Sequence, residues 1–185
     1  LEIWQRYASH TQERGLAPTE SVILIDPASA CQYHFYRGRL AGAYLCSTAA
    51  AGLGEEAGSH RTPRGLHVVE EKHGDGLPPG AILKARVPTG QNWRSVTPAG
   101  DPGGPNLVTT RLLWLRGLEP GFNAGPGRDS KERYIYIHGT NRESRLGHPV
   151  SGGCILMRDA EIAWLYPRIP VGSHVWISPE CADRV

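Results

Sequence analysis

His138 and Cys154 are the two side chains of this chain whose types, order and setting could do covalent chemistry. A cysteine attacks a carbonyl carbon as the thiolate, and a neighbouring imidazole is the usual means of making one at neutral pH. His138 follows Tyr134-Ile135-Tyr136-Ile137, whose period-two alternation predicts a strand with the histidine on the tyrosine face, at the rim. A polar loop from Thr140 to Pro149 leads to Ser151-Gly152-Gly153-Cys154. Paired glycines weaken an ordinary strand but admit close approach by another molecule and leave room for main-chain oxyanion donors. A loop of about ten residues commonly brings the ends of two strands together. The competing reading is a core thiol beside a hydrogen-bonded histidine, and the glycines weigh against it.

Strands must carry these residues. They are expected at Ser21 to Ile25, Cys31 to Tyr36, Arg39 to Ser47, Leu66 to Glu71, Ala81 to Val87, Leu107 to Leu115 and His174 to Ser178, between turn residues. That spacing predicts a mostly β fold, an antiparallel sandwich or barrel with short helices. In the last strand Val175 and Ile177 share one face and His174 and Trp176 the other. Residues 1 to 15 read as an appended helix with Trp4, Tyr7, Ala8 and Thr11 on one side and Gly15 ending it, and residues 16 to 185 as a single domain. Asp159 is placed to cap a short helix whose apolar side is Ile162, Ala163, Leu165 and Tyr166. The glycine-rich stretches Ala49 to Gly58 and Gly90 to Pro105 read as surface loops, with no phosphate-loop ending.

Composition narrows the classes. A length of 185 residues suits one domain with a real core. A formal charge of +2, with scattered basic residues, is too small to argue for nucleic acid or an anionic membrane, and neither is expected as partner. No apolar run reaches membrane-spanning length. His138, His148, Cys154 and His174 lack structural-zinc spacing, so no metal or other cofactor is expected. With Cys154 set apart, Cys31, Cys46 and Cys181 remain, an odd number that does not read as a disulfide framework. A hairpin turning at Arg37-Gly38 opposes Cys31 to Tyr44 and makes Cys46 its diagonal neighbour, at the limit for bridging.

The chain resembles the L,D-transpeptidase catalytic domain, or YkuD-like, family at its chemical residues. His138-Gly139-Thr140-Asn141, Leu146-Gly147-His148-Pro149-Val150-Ser151, Gly153-Cys154-Ile155 and Met157 match that family's pattern in order and spacing. Arg61-Thr62-Pro63-Arg64-Gly65 and the stretch from Leu113 to Asn123 extend the likeness over roughly residues 20 to 178. Gly152 stands where the family usually has histidine, and Leu156 where it has an arginine that helps fix a carboxylate-bearing substrate. These departures imply a cleft that is wider and less basic beside the cysteine, with Arg158, Arg142 or Arg145 as replacement cation.

The resemblance implies a cysteine acyltransferase of bacterial cell-wall peptides. Cys154 is the expected nucleophile, His138 the base, and Gly139 the carbonyl that orients it. Tyr136, Thr140, Asn141, Ser151, Gly152, Gly153 and Arg158 are the expected substrate-binding and oxyanion set. The implied substrate is a peptidoglycan tetrapeptide or muropeptide, cleaved between a third-position diamino acid and D-alanine, and a carbapenem is the implied covalent inhibitor. Transfer to an amine is favoured over hydrolysis by an L,D-carboxypeptidase. A weak peptide-binding module and a sortase-like enzyme, whose histidine and cysteine are usually farther apart, are the rivals. The family implies the cell envelope or periplasm, whereas the surplus thiols favour the cytoplasm.

Overall fold

The computed structural model describes residues 1–96 and 104–179. Ten strands form one branched, mostly antiparallel sheet: β1 (Ser21–Asp26), β2 (Cys31–Tyr36), β3 (Arg39–Leu45), β4 (Gly65–His73), β5 (Ala81–Lys84), β6 (Val87–Asn92), β7 (Val108–Gly117), β8 (Tyr136–Gly139), β9 (Ile155–Met157) and β10 (His174–Ile177). Three helices accompany them, α1 (Glu2–Gln12), α2 (Trp93–Val96) and α3 (Asp159–Leu165). The order is β3-β2-β1-β10-β4-β7-β5-β6, and β8 and β9 branch from β7, so the sheet folds over itself like a sandwich without closing. Two pairings, β1 with β10 and β8 with β9, are parallel within this mostly antiparallel sheet.

Strand alternation sorts the apolar residues into clusters on opposite faces. Ile23, Ile25, Leu113, Leu115, Ile137, Ile155, Val175 and Ile177 meet Ile162 and Leu165 of α3 in the main core. Val22, Leu24, Leu66 and Trp176 face the other way, where α1 covers them with Tyr7. Tyr7 is fully buried and shares a 2.8 Å hydrogen bond with His174 Nδ1. The third cluster, Leu112, Trp114 and Tyr136, has Cys154 packed against it. The face opposite the main core is therefore the one that bears the candidate chemistry.

Several local expectations change. Tyr134 has φ 57°, outside the strand region, so β8 begins at Tyr136. Ala85 and Arg86 are both left-handed, at φ 48° and 69°, and turn the expected Ala81 to Val87 strand into the β5–β6 hairpin. Part of the expected Gly90 to Pro105 loop is thus β6 and α2, and part lies outside the described residues. A bulge where β2 passes His34/Phe35 leaves Ala41 of β3 unopposed, so Cys31 faces Leu45 instead of Tyr44. Cys46 consequently enters the main core while Cys31 lies on the opposite face, and both are free thiols. Cys181 falls outside the described residues.

Candidate active site

β8 places His138, and its parallel pairing with β9 fixes Cys154. Ile137 lies opposite Ile155 and His138 opposite Leu156, so Cys154, one residue before β9, comes level with Tyr136. Alternation puts Cys154 on the face of Tyr136 and His138, offset from the histidine by one side-chain repeat. The thiol donates to the Tyr134 carbonyl and receives the Tyr136 N–H, each at 3.4 Å. Among the described residues it shares no hydrogen bond with His138, whose side-chain bond is from Nδ1 to the Gly139 carbonyl at 2.7 Å. A carbonyl oxygen only accepts, so Nδ1 bears the proton and Nε2 keeps its lone pair.

Electrostatics leave both groups neutral. Burial holds the fully buried His138 imidazole down to about 4, against the upward pull of the Gly139 bond and the negative Asp159. Burial likewise pushes the Cys154 thiol up to about 11, against the Tyr136 N–H and the Arg133 charge. The resting pair is thiol and imidazole, and catalytic hydrogen bonds of resting sites often tighten only when substrate binds. An upward shift makes the thiolate scarcer at every pH below it. Alkylation of Cys154 by iodoacetamide in the free protein should therefore quicken by about tenfold per pH unit between roughly pH 7 and 10. A rate that levels off near neutrality, read by peptide mass spectrometry, would disprove a neutral resting thiol.

Asp159 is the main residue that sequence reasoning misplaced. It opens α3 but does not cap it; Arg158 is the N-cap residue, without a side-chain bond, and Glu143 Oε1 accepts the Asp159 N–H at 2.9 Å. The Asp159 carboxylate turns inward, is fully buried, and accepts the hydroxyls of Thr109 and Thr110. Trp93 Nε1 and Arg94 Nη1 also donate to it, each at 2.8 Å, which ties α2 to the site. A Cβ on Gly139 would lie 2.5 Å from Asp159 Oδ1 and 2.7 Å from the Thr109 carbonyl. Glycine is needed there because the strand carrying the His138 acceptor presses on that carboxylate. An aspartate before an apolar helix reads as a cap in any sequence, so no local signal distinguished this one.

The remaining expected residues divide by what they touch. Ser151 Oγ donates to the Cys154 carbonyl at 2.6 Å and accepts the Gly153 N–H at 3.2 Å, bracing the turn before the cysteine. Gly153 has φ 136°, which favours glycine, and its carbonyl receives Thr62 Oγ1. Gly152 faces open space. Tyr136 stands edge-on to Trp114 and receives Arg86 Nη1 on its hydroxyl. Thr140 donates to Asn106, and Asn141 bonds Leu107 N and the Pro105 carbonyl, so these two polar side chains hold the neighbouring segment.

Leu156 is fully buried and pairs with His138, on the face that also bears Cys154, where it supplies no charge. Arg158 is exposed and its charge acts on Glu161, while Arg142 bonds the Gly104 carbonyl. The cation that acts on the Cys154 thiol is Arg133. In the sequence it sits in the charged run Lys131-Glu132-Arg133, which looks like a solvated surface.

A model of the L,D-transpeptidase catalytic domain family matches residues 20–177. A putative L,D-transpeptidase of Bacillus subtilis, YqjB, is 48% identical over 61 residues, which are 32% of this chain and 32% of the relative. The probable L,D-transpeptidase ErfK/SrfK of Salmonella typhimurium is 33% identical over 126 residues, 62% of this chain and 39% of the relative. L,D-transpeptidase 3 from Mycobacterium tuberculosis, solved with a faropenem-derived adduct, superposes with a TM-score of 0.52 at 18% identity, covering 86% of this chain and 60% of that one. At that identity the likeness is one of fold. The matches span 32% and 39% of the two curated relatives' own lengths. With His138 and Cys154 on one face and the family model spanning nearly the whole sheet, the chain belongs to the L,D-transpeptidase catalytic domain family.

Proposed function

We propose that the domain is a cysteine L,D-transpeptidase acting on peptidoglycan stem peptides. The observation that supports this reading most is the common face of His138 and Cys154, with Nδ1 bound to Gly139 and Nε2 left to accept a proton. In the proposed cycle the Cys154 proton passes to Nε2 and the sulfur attacks the carbonyl carbon of the third-position diamino acid. Main-chain N–H at Cys154 stabilises the oxyanion. The bond to D-alanine then breaks, its nitrogen taking the proton from His138, and a thioester remains on Cys154. An acceptor amine attacks the thioester and loses its proton to His138, which returns it to the departing sulfur, leaving a cross-linked dimer and free thiol. Asp159, behind Gly139, favours the imidazolium that forms in both halves.

A purified tetrapeptide, supplied alone and then with excess diamino-acid acceptor, tests the scheme by mass spectrometry. Thioester on Cys154 and dimer with acceptor are the expected results. Tripeptide alone in both cases would make the enzyme a carboxypeptidase with the same residues, and neither adduct nor product would leave a peptide-binding domain. The faropenem adduct of the M. tuberculosis relative motivates a companion expectation. A carbapenem, whose strained carbonyl suits the same nucleophile, should add its mass to Cys154, and no adduct after prolonged exposure would count against the site.

A further inference from the structure

Next to the turn that carries Cys154 lies a cavity of about 360 Å³, walled by His60, Arg128, Glu132, Arg133, Ile135 and Gly152, with Asp129 also on its lining. Two features make it a built site. Arg133 is partly buried and donates to the carbonyls of Gly54 and Arg61, at 3.2 and 2.6 Å, and to Ser59 Oγ at 3.4 Å. Among the described residues no carboxylate lies within ion-pair distance of it. Glu55, whose charge it feels, is occupied by Arg64 at 2.7 Å. Among the described residues Nε–H and one Nη1–H therefore meet no acceptor, and a guanidinium stays charged even when partly buried. The same guanidinium interacts with the Cys154 sulfur.

The second feature is Gly152. A Cβ there would meet nothing within 4 Å, and its φ is not in the left-handed region, so the backbone does not demand glycine. A missing side chain keeps the cavity open beside a cation that, among the described residues, forms no ion pair. Neither Asp129 nor Glu132 pairs with Arg133, and Arg128 reaches Glu56 only at 3.7 Å.

We infer that this cavity is a carboxylate subsite for the acyl donor, with Arg133 as its anchor, and that it selects a diamino acid bearing a side-chain carboxylate over one ending in an amine alone. The inference rests on Cys154 being the nucleophile. It gives Arg133 the role that the buried Leu156 cannot fill.

The test compares alkylation of Cys154 in the full chain by iodoacetate, an anion, and by iodoacetamide, its neutral analogue, read by peptide mass spectrometry. Both need the same thiolate, so changes in thiol acidity cancel in the rate ratio. Arg133→Gln should lower the iodoacetate-to-iodoacetamide ratio by about tenfold, and Arg133→Lys by much less. Gly152→Leu, which fills the cavity without touching the charge, should also lower it and stands in if Arg133→Gln does not fold. On peptides, Arg133→Gln should raise KM for a tetrapeptide with a free side-chain carboxylate and leave the amidated one unchanged. A ratio unmoved by all three variants overturns the subsite while the nucleophile stands. A wild-type Cys154 inert to both reagents overturns the nucleophile, and the subsite with it.

Discussion

Cys154→Ala is expected to reduce tetrapeptide turnover to background, a loss of at least about 10³-fold, while leaving the folded state almost as stable as before. The sulfur is the one atom at the site able to form the thioester, so its removal deletes the covalent route. Structurally the change is small: Cys154 is partly exposed, and its polar contacts are two 3.4 Å bonds to main chain at Tyr134 and Tyr136. A change of that kind costs about 1 kcal/mol or less. His138→Ala should lose about 10²- to 10⁴-fold in turnover, the range of a deleted acid-base group. Because His138 is fully buried, His138→Gln is the better control, keeping a donor for the Gly139 carbonyl but no titratable nitrogen. Turnover near that of the parent protein in either Cys154→Ala or His138→Gln would refute the pair, and urea titrations distinguish chemical loss from unfolding.

The largest expected effect on stability belongs to Asp159→Ala. The carboxylate is wholly buried and receives Thr109, Thr110, Trp93 and Arg94, so truncation strands four donors around an empty space. Breaking a buried charged network from one side costs about 3–5 kcal/mol. The urea midpoint should fall accordingly. Asp159→Asn, which keeps the shape and one acceptor oxygen, should fall by less. A midpoint for Asp159→Ala equal to that of the parent would show that Arg94 and the hydroxyls find other acceptors, and the carboxylate would lose its structural role. Activity should also drop in both variants, since α2 donates to this side chain and the Gly139 strand packs against it.

Much of the architecture follows from rules that act over a few residues. Alternation along Tyr136-Ile137-His138 and along β10 puts each side chain on its face, because successive Cβ atoms of a strand must point oppositely. That periodicity was enough to separate the two faces of the last strand, to place His138 with the tyrosines, and to find the α1 stripe. The left-handed Gly153 and the crowded Gly139 likewise sit where the sequence places glycines beside the two candidate groups. Order and spacing of the His-Gly-Thr and Gly-Cys-Ile motifs marked the family. Local rules failed where non-glycine residues adopt left-handed turns, as at Ala85-Arg86 and Tyr134, because their composition carries no turn signal.

Relations between distant residues needed the tertiary structure. The parallel register of β8 with β9 sets Cys154 level with Tyr136 and not with His138, and nothing local encodes a pairing across the intervening loop. Asp159 meets threonines 49 and 50 residues earlier, which converts an apparent helix cap into a buried hub. Arg133 becomes the cation near the thiol because Gly54, Ser59 and Arg61 fold around it, although its neighbours in the chain are charged and solvated. In the sequence alone are written the identities of the candidate nucleophile and base and the face of the base, since strand geometry repeats every two residues. Their separation, their protonation and the cation beside them arise only when distant segments close around them and remove water, since desolvation and long-range pairing are properties of the assembled fold.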